Sequence, residues 1–194
     1  MIKIENRFFF ILAFSMALVV ALSNYLVQFP IKYLNLQDLF TYGAFSYPIA
    51  FLITDLTNRR YGKIIARKIV YIGFILGLVL TLYFSTDFSN LISKRIAIGS
   101  GTAFLIAQLL DVQIFDKLRK KVWYVAPLAS SLIGSFIDTF LFFSIAFYGT
   151  GVNWITLSFG DLLVKMFVAF MMLIPFRLLI SSINEIGAVK KINV

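Results

Sequence analysis

TYGAFSYPIAFLITDLTNRRYG, residues 41–62, decides how this chain is read. Ala44 to Leu56 is almost wholly apolar, yet Asp55 stands near its end beside Thr54, and Arg59, Arg60, Lys63, Arg67 and Lys68 follow at once. An apolar run closed by a cationic cluster is the pattern of a membrane helix arriving at the cytoplasmic surface. On a helix, Tyr47, Phe51, Asp55 and Arg59 recur at every fourth position and share one face, which puts two aromatic rings in line with a carboxylate and a guanidinium. Such a face can stack on and hydrogen-bond a flat heterocycle. The plainer reading is that Asp55 and Arg59 form an ion pair at the membrane boundary while the rings pack.

The rest of the chain has the same character. Of 194 residues 60% are hydrophobic and only 14% charged, and the mean hydropathy is +0.91, too apolar for a soluble domain of this length. The net charge of +9 sits in short basic runs between apolar stretches, a distribution that positive-inside topology explains better than nucleic-acid binding. Cysteine and histidine are both absent, so disulfides, thiolate nucleophiles, imidazole bases and zinc sites built from those ligands are excluded, and no metal or cofactor is expected. No linker of Pro, Gly or Ser divides the chain, so residues 1–194 are read as a single transmembrane domain.

Working outward, the hydropathy predicts an all-α protein with six transmembrane helices at about 8–27, 42–57, 69–84, 96–115, 124–148 and 159–180. The first is read as an uncleaved helix, because its apolar run exceeds the roughly 7–15 residues of a signal-peptide core. A short loop is expected at 31–40, and Pro48 should kink or break the second span. Gly73 and Gly77 in the third span, and Gly99, Ala103 and Ala107 in the fourth, form small-residue edges for close helix packing. With both termini cytoplasmic, fourteen of the 18 Lys and Arg fall on the cytoplasmic side, and only Lys32, Lys94 and Arg95 on the other. Three spans per half also makes the two halves inverted relative to each other, the arrangement from which many carriers build a midplane site.

Ionisable residues inside spans are costly, about 2.5–3.5 kcal/mol at a helix centre on insertion scales, so each asks for a partner or a use. Asp138 asks most sharply, because it lies mid-span on the polar stripe Ser130, Ser131, Gly134, Ser135, Asp138, Thr139 with no basic residue within a turn. That stripe must face protein or water. Asp161 and Lys165 stand four apart in the orientation that suits an ion pair, and Asp111, one turn after Gln108, is near enough to the cytoplasmic end to reach water. Asn24 and Gln28 lie one turn apart near the end of the first span.

The segments SNYLVQFP (23–30), the opening stretch at 41–62, AQLLDVQIFDKLR (107–119), the Asp138-Thr139 region and Gly160-Asp161 to Lys165 closely resemble the queuosine precursor transporter family. The matches run in order over all six spans, with departures mainly in short loops around 85–94 and 149–158. The resemblance implies a six-span, vitamin-uptake-like transporter of the bacterial inner membrane, not an enzyme, that imports 7-cyano-7-deazaguanine and 7-aminomethyl-7-deazaguanine. Its partners would be that small-molecule base and the lipid bilayer, with no nucleic acid. A homo-oligomer is compatible with the sequence, which leaves the oligomeric state open. A guanine-like edge presents a ring N–H and an amino group, which a carboxylate can accept together, and a carbonyl, which needs an amide or cation. Asp138, Asp55, Gln108, Asn24, Arg95, Asp111 and Lys165 are the candidates for those contacts, with Tyr47 and Phe51 to stack on the ring. Two alternatives remain: the substrate-binding subunit of an energised vitamin importer, and an intramembrane aspartyl hydrolase. The second needs two carboxyls in contact at one depth, which the positions of Asp138 and Asp161 disfavour.

Overall fold

The structure, a computed structural model, describes residues 6–31, 41–84 and 86–192, and these form seven helices with no extended sheet. They are α1 (Asn6–Leu26), α2 (Gly43–Ser46), α3 (Pro48–Tyr61), α4 (Lys63–Phe84), α5 (Leu91–Leu118), α6 (Val125–Phe147) and α7 (Trp154–Ile192). Five of them, α1, α4, α5, α6 and α7, are long and apolar enough to cross a membrane. The predicted second span is interrupted next to Pro48, as expected: Tyr47, still at helical angles, separates α2 from α3, and Pro48 opens α3 at a position where its missing N–H is no loss. The 14 residues of α3 extend only about 21 Å, short of the roughly 30 Å of a hydrocarbon core. The loop expected after Pro30, with Lys32, and Lys3 fall outside the described residues.

Small residues set the helix contacts. A Cβ built on Gly73 would collide with Met16 Cγ and stand 2.7 Å from Met16 Cβ, and one on Gly77 would stand 2.9 Å from Val20 Cβ, so α1 and α4 lie in intimate contact along the predicted glycine edge. The register of these pairs, continued by Asn24 with Thr81, makes α1 and α4 parallel. On α5, a Cβ at Gly99 would meet Phe142 O at 3.3 Å, and Ala103 and Ala107 are fully buried, so the predicted small-residue edge seats α6. Here the register is antiparallel. Thr54 with Gln108 and Asn58 with Val112 O make α3 parallel to α5, and Thr139 with Asp161 makes α7 antiparallel to α6. Phe74 against Gly101 and Arg67 with Gln113 complete the set, with α4 antiparallel to α5. Thus α1, α4 and α6 run one way and α3, α5 and α7 the other.

The large exposed side chains form an apolar coat, among them Phe10, Phe14, Ile75, Val79, Ile98, Phe136, Leu163 and Phe167. Polar groups are gathered inside: every residue of the Ser130–Thr139 stripe is buried, as its period demands. At the end marked by Gly62 (φ +87°), basic residues close helix termini. Arg119 donates to Asn58 O and Arg59 O at 3.1 Å each, while Arg59 donates to Arg119 O. These contacts close carbonyls at the helix ends, with Asn58 O also accepting the backbone N–H of Gly62 at 2.9 Å.

Candidate functional site

Two buried polar clusters lie along one face of α6. The first is built on Lys165 of α7, whose side chain is 3% exposed. Its Nζ donates to Asp161 Oδ2 at 2.6 Å, to Asp138 Oδ2 at 2.9 Å and to Thr139 Oγ1 at 3.1 Å, which uses all three ammonium donors. Thr139 in turn donates to Asp161 Oδ2 at 2.9 Å. The expected Asp161–Lys165 pair is therefore present, and the cation that Asp138 lacked within its own helix arrives from α7. The two acids flank one lysine and share its depth, so the separation in depth expected for Asp138 and Asp161 does not hold; two residues distant along antiparallel helices come level where those helices cross. With both acids ionised, the cluster carries one net negative charge. The ring of Tyr47 stands 5.0 Å from Lys165 Nζ, and its edge packs on Phe104.

Two acceptors beside this cluster find no donor among the described residues. Asp138 Oδ1 is one, with the residue 2% exposed. Asn24 Oδ1 is the other: its amide nitrogen donates to Thr81 Oγ1 at 3.0 Å, and because Thr81 gives its only proton to Gly77 O, the amide cannot turn round without losing that bond. Both residues line a narrow cleft with Tyr47, Ser100, Phe142, Asp161 and Lys165. The cleft has room for about one water-sized molecule in this conformation. Buried acceptors left open cost about 1–3 kcal/mol each unless something supplies donors. The cleft is thus complementary to a small, donor-bearing, flat ligand, and admits one only if its walls part.

The second cluster joins α3, α5 and α6. Asp55 accepts from Ser130 and Ser131 at 3.3 Å each, and Asp111 lies against the Asp55 carboxyl. The Gln108 amide meets the Thr54 hydroxyl at 2.6 Å nearby.

Several expected positions are corrected. Asp55 and Arg59 make no ion pair, because Arg59 is drawn to the free carbonyl at the end of α5 while Asp55 turns to the serines of α6. Asp111 does not reach water: it is 0% exposed, covered by the packing of α3 and α6 over α5. Arg95 lies outside both clusters, with Nε donating to Ile145 O at 3.0 Å and Nη2 to Tyr148 O at 2.8 Å, so it caps the end of α6. Phe51 is buried against Gly134, not beside Tyr47 in the cleft. Of the nine candidate site residues, Asp138, Asn24, Tyr47 and Lys165 line the cleft; Asp55, Asp111, Gln108, Phe51 and Arg95 do not. Thr81, which orients Asn24, escaped the sequence reading, although it continues the Gly73, Gly77 edge by one more turn.

Comparison with known proteins identifies relatives of this chain. Residues 41–180 match the family described as "Putative vitamin uptake transporter". A Haemophilus influenzae protein named "Probable queuosine precursor transporter" is 37% identical, over 84% of this chain and 82% of its own. The Escherichia coli "Queuosine precursor transporter" is 36% identical over 81% of this chain and 79% of its own, and a Bacillus subtilis "Probable queuosine precursor transporter" is 31% identical over 56% and 57%. No solved structure matches. With the apolar helices described above, these relatives identify a multi-pass membrane protein, not an enzyme, and the chain belongs to the queuosine precursor transporter family.

Proposed function

We propose that this protein imports a queuosine precursor, 7-cyano-7-deazaguanine or 7-aminomethyl-7-deazaguanine, across the bacterial inner membrane by alternating access. The observation that carries the reading is the cleft between α1, α6 and α7, where Asp138 Oδ1 and Asn24 Oδ1 stand without donors beside the Tyr47 ring. The ring N–H and amino group of a guanine-like edge are the donors those acceptors lack, and Tyr47 offers a face or edge for the bicyclic ring. Lys165, its three donors taken by Asp138, Asp161 and Thr139, fixes the Asp138 carboxyl in place.

In this account the protein has six passages with both termini cytoplasmic, and α2 with α3 supplies the sixth. The alternating direction of α1, α3, α4, α5, α6 and α7 supports that count, and with it two inverted halves of three passages. The break at Tyr47–Pro48 sits beside the cleft, where a half-passage can tilt to admit the base. The rival reading, a binding subunit of an energised importer, calls for small-residue stripes free to dock a helical partner. Gly73, Gly77, Gly99, Ala103 and Ala107 are instead spent on contacts between α1 and α4 and between α5 and α6.

The test is uptake of each labelled base by cells unable to make their own precursor. Expression of this chain should raise uptake of one or both above cells carrying an inactive control. Equal uptake in both, with the protein present in the membrane, would reject the proposal.

A further inference from the structure

We propose that Asp55 and Asp111 form the site for a proton carried inward with the base. The proposal rests on the transport reading above. Ser131 and Asp138 are seven residues apart on α6, so this site lies about 10 Å along the helix from the cleft.

The geometry is of two acids without a counter-charge. Asp55 is 2% exposed and receives only two long hydrogen bonds, 3.3 Å each, from the hydroxyls of Ser130 and Ser131. The Asp111 carboxyl lies against the Asp55 carboxyl and the Ser130 hydroxyl, yet neither of its oxygens completes a hydrogen bond with a protein donor. A separate observation points the same way. Ser135, one turn further along α6 and 1% exposed, has a hydroxyl with no partner, and it lines a small cavity together with Asp55 and Ser131 that has room for about one water-sized molecule.

Among the described residues no cation is paired with these two acids. The groups facing it from α6 are hydroxyls, and α7 brings Ala169, Met172, Leu173 and Phe176 to the cavity. Arg59, one turn on from Asp55, is held by Arg119 O; Arg119 is held by Asp116 and the end of α3; Lys165 is saturated by Asp138, Asp161 and Thr139. Two carboxyl groups packed together with no cation in reach cannot both carry charge, and a proton between them also closes the contact that Asp111 leaves open. The adjacent cavity, lined by Ser135, has room for about one water-sized molecule, and a water there would give the proton a next station towards Asp138. Asp138, unlike this pair, has a cation in direct contact, Lys165 at 2.9 Å. Phe51 stands between the two sites, its ring packed over Gly134 of α6 where a Cβ would come within 2.7 Å.

The experiment uses the full chain purified into proteoliposomes, with labelled 7-cyano-7-deazaguanine or 7-aminomethyl-7-deazaguanine outside and a pH-sensitive dye inside. For one proton per base, each pH unit of inward gradient should give about tenfold accumulation, and adding base should acidify the lumen. Asp111→Asn should abolish gradient-driven accumulation and the dye signal, while labelled-for-unlabelled exchange at equal pH persists. The proposal is overturned if wild-type uptake proceeds without a dye signal, if a sodium gradient drives it in place of a proton gradient, or if Asp111→Asn accumulates base like the wild type. Because the dye signal is read on unmodified protein, a variant that does not fold leaves the test intact. A wild type that moves neither base under any gradient or in exchange removes the transport reading itself, and the proton site with it.

Discussion

Replacing Lys165 by methionine keeps an unbranched chain of similar size in place and removes only the charge and its donors. In the native protein that ammonium sits between Asp161 at 2.6 Å and Asp138 at 2.9 Å, with Thr139 as its third acceptor, and it is 3% exposed. Its loss leaves two buried carboxylates facing each other across a vacated site. Breaking a buried ion pair by removing one partner costs about 3–5 kcal/mol. At about 2–4 °C per kcal/mol for a chain of this size, the melting temperature should fall by roughly 6–20 °C. The assay is thermal unfolding of the purified protein in detergent, followed by tryptophan fluorescence and by loss of the monodisperse peak. A triple variant, Asp138→Asn, Asp161→Asn, Lys165→Met, removes every charge in the cluster and should regain most of that loss, because deleting a whole buried ion cluster is often tolerated where deleting one member is not. A Lys165→Met protein that melts with the wild type, or a triple variant no more stable than the single one, would refute the claim that this lysine holds the cluster by charge.

Two further outcomes follow from the packing and the caps. Gly73→Ala and Gly77→Ala should each lose about 1–3 kcal/mol, because the added Cβ would stand 2.7 Å from Met16 Cβ at the first and 2.9 Å from Val20 Cβ at the second, atoms that no rotamer change moves aside; a melting temperature unchanged in either variant would contradict the close packing of α1 on α4. Arg95→Ala should leave base binding to purified protein unchanged and lower stability by about 1 kcal/mol, the value of a lost cap; a loss of affinity would return Arg95 to the site.

Much of this architecture is legible in the sequence, for physical reasons that differ from feature to feature. The glycine edges at Gly73, Gly77 and Gly99 and the polar stripe on α6 are properties of single helices, and helical period alone exposes them. The Asp161–Lys165 pair is equally local, at i and i+4. What escaped is what depends on which helices meet. Nothing in the order of residues brings Lys165 to Asp138, since that needs the crossing of α6 and α7; nor does it set Asp111 against Asp55, which needs the parallel packing of α3 and α5. The Asp55–Arg59 expectation failed for a related reason: two partners one turn apart on one helix were outcompeted by serines and a carbonyl from neighbouring helices. The interruption of the second span was legible too, because a proline at position 48 must kink or break a helix; what escaped is that it falls at a single residue, Tyr47, which keeps helical angles between α2 and α3.

The central claim, that the open acceptors at Asp138 and Asn24 read the donor edge of a 7-deazaguanine base, is met most directly by equilibrium binding of the labelled base to purified protein, wild type against Asp138→Asn. The substitution turns an acceptor into a group that can present a donor to a donor, a loss of about 1–3 kcal/mol. The account predicts an affinity about ten- to a hundredfold weaker, since each 1.4 kcal/mol is tenfold. An Asp138→Asn protein that is folded and binds the base with wild-type affinity would contradict it.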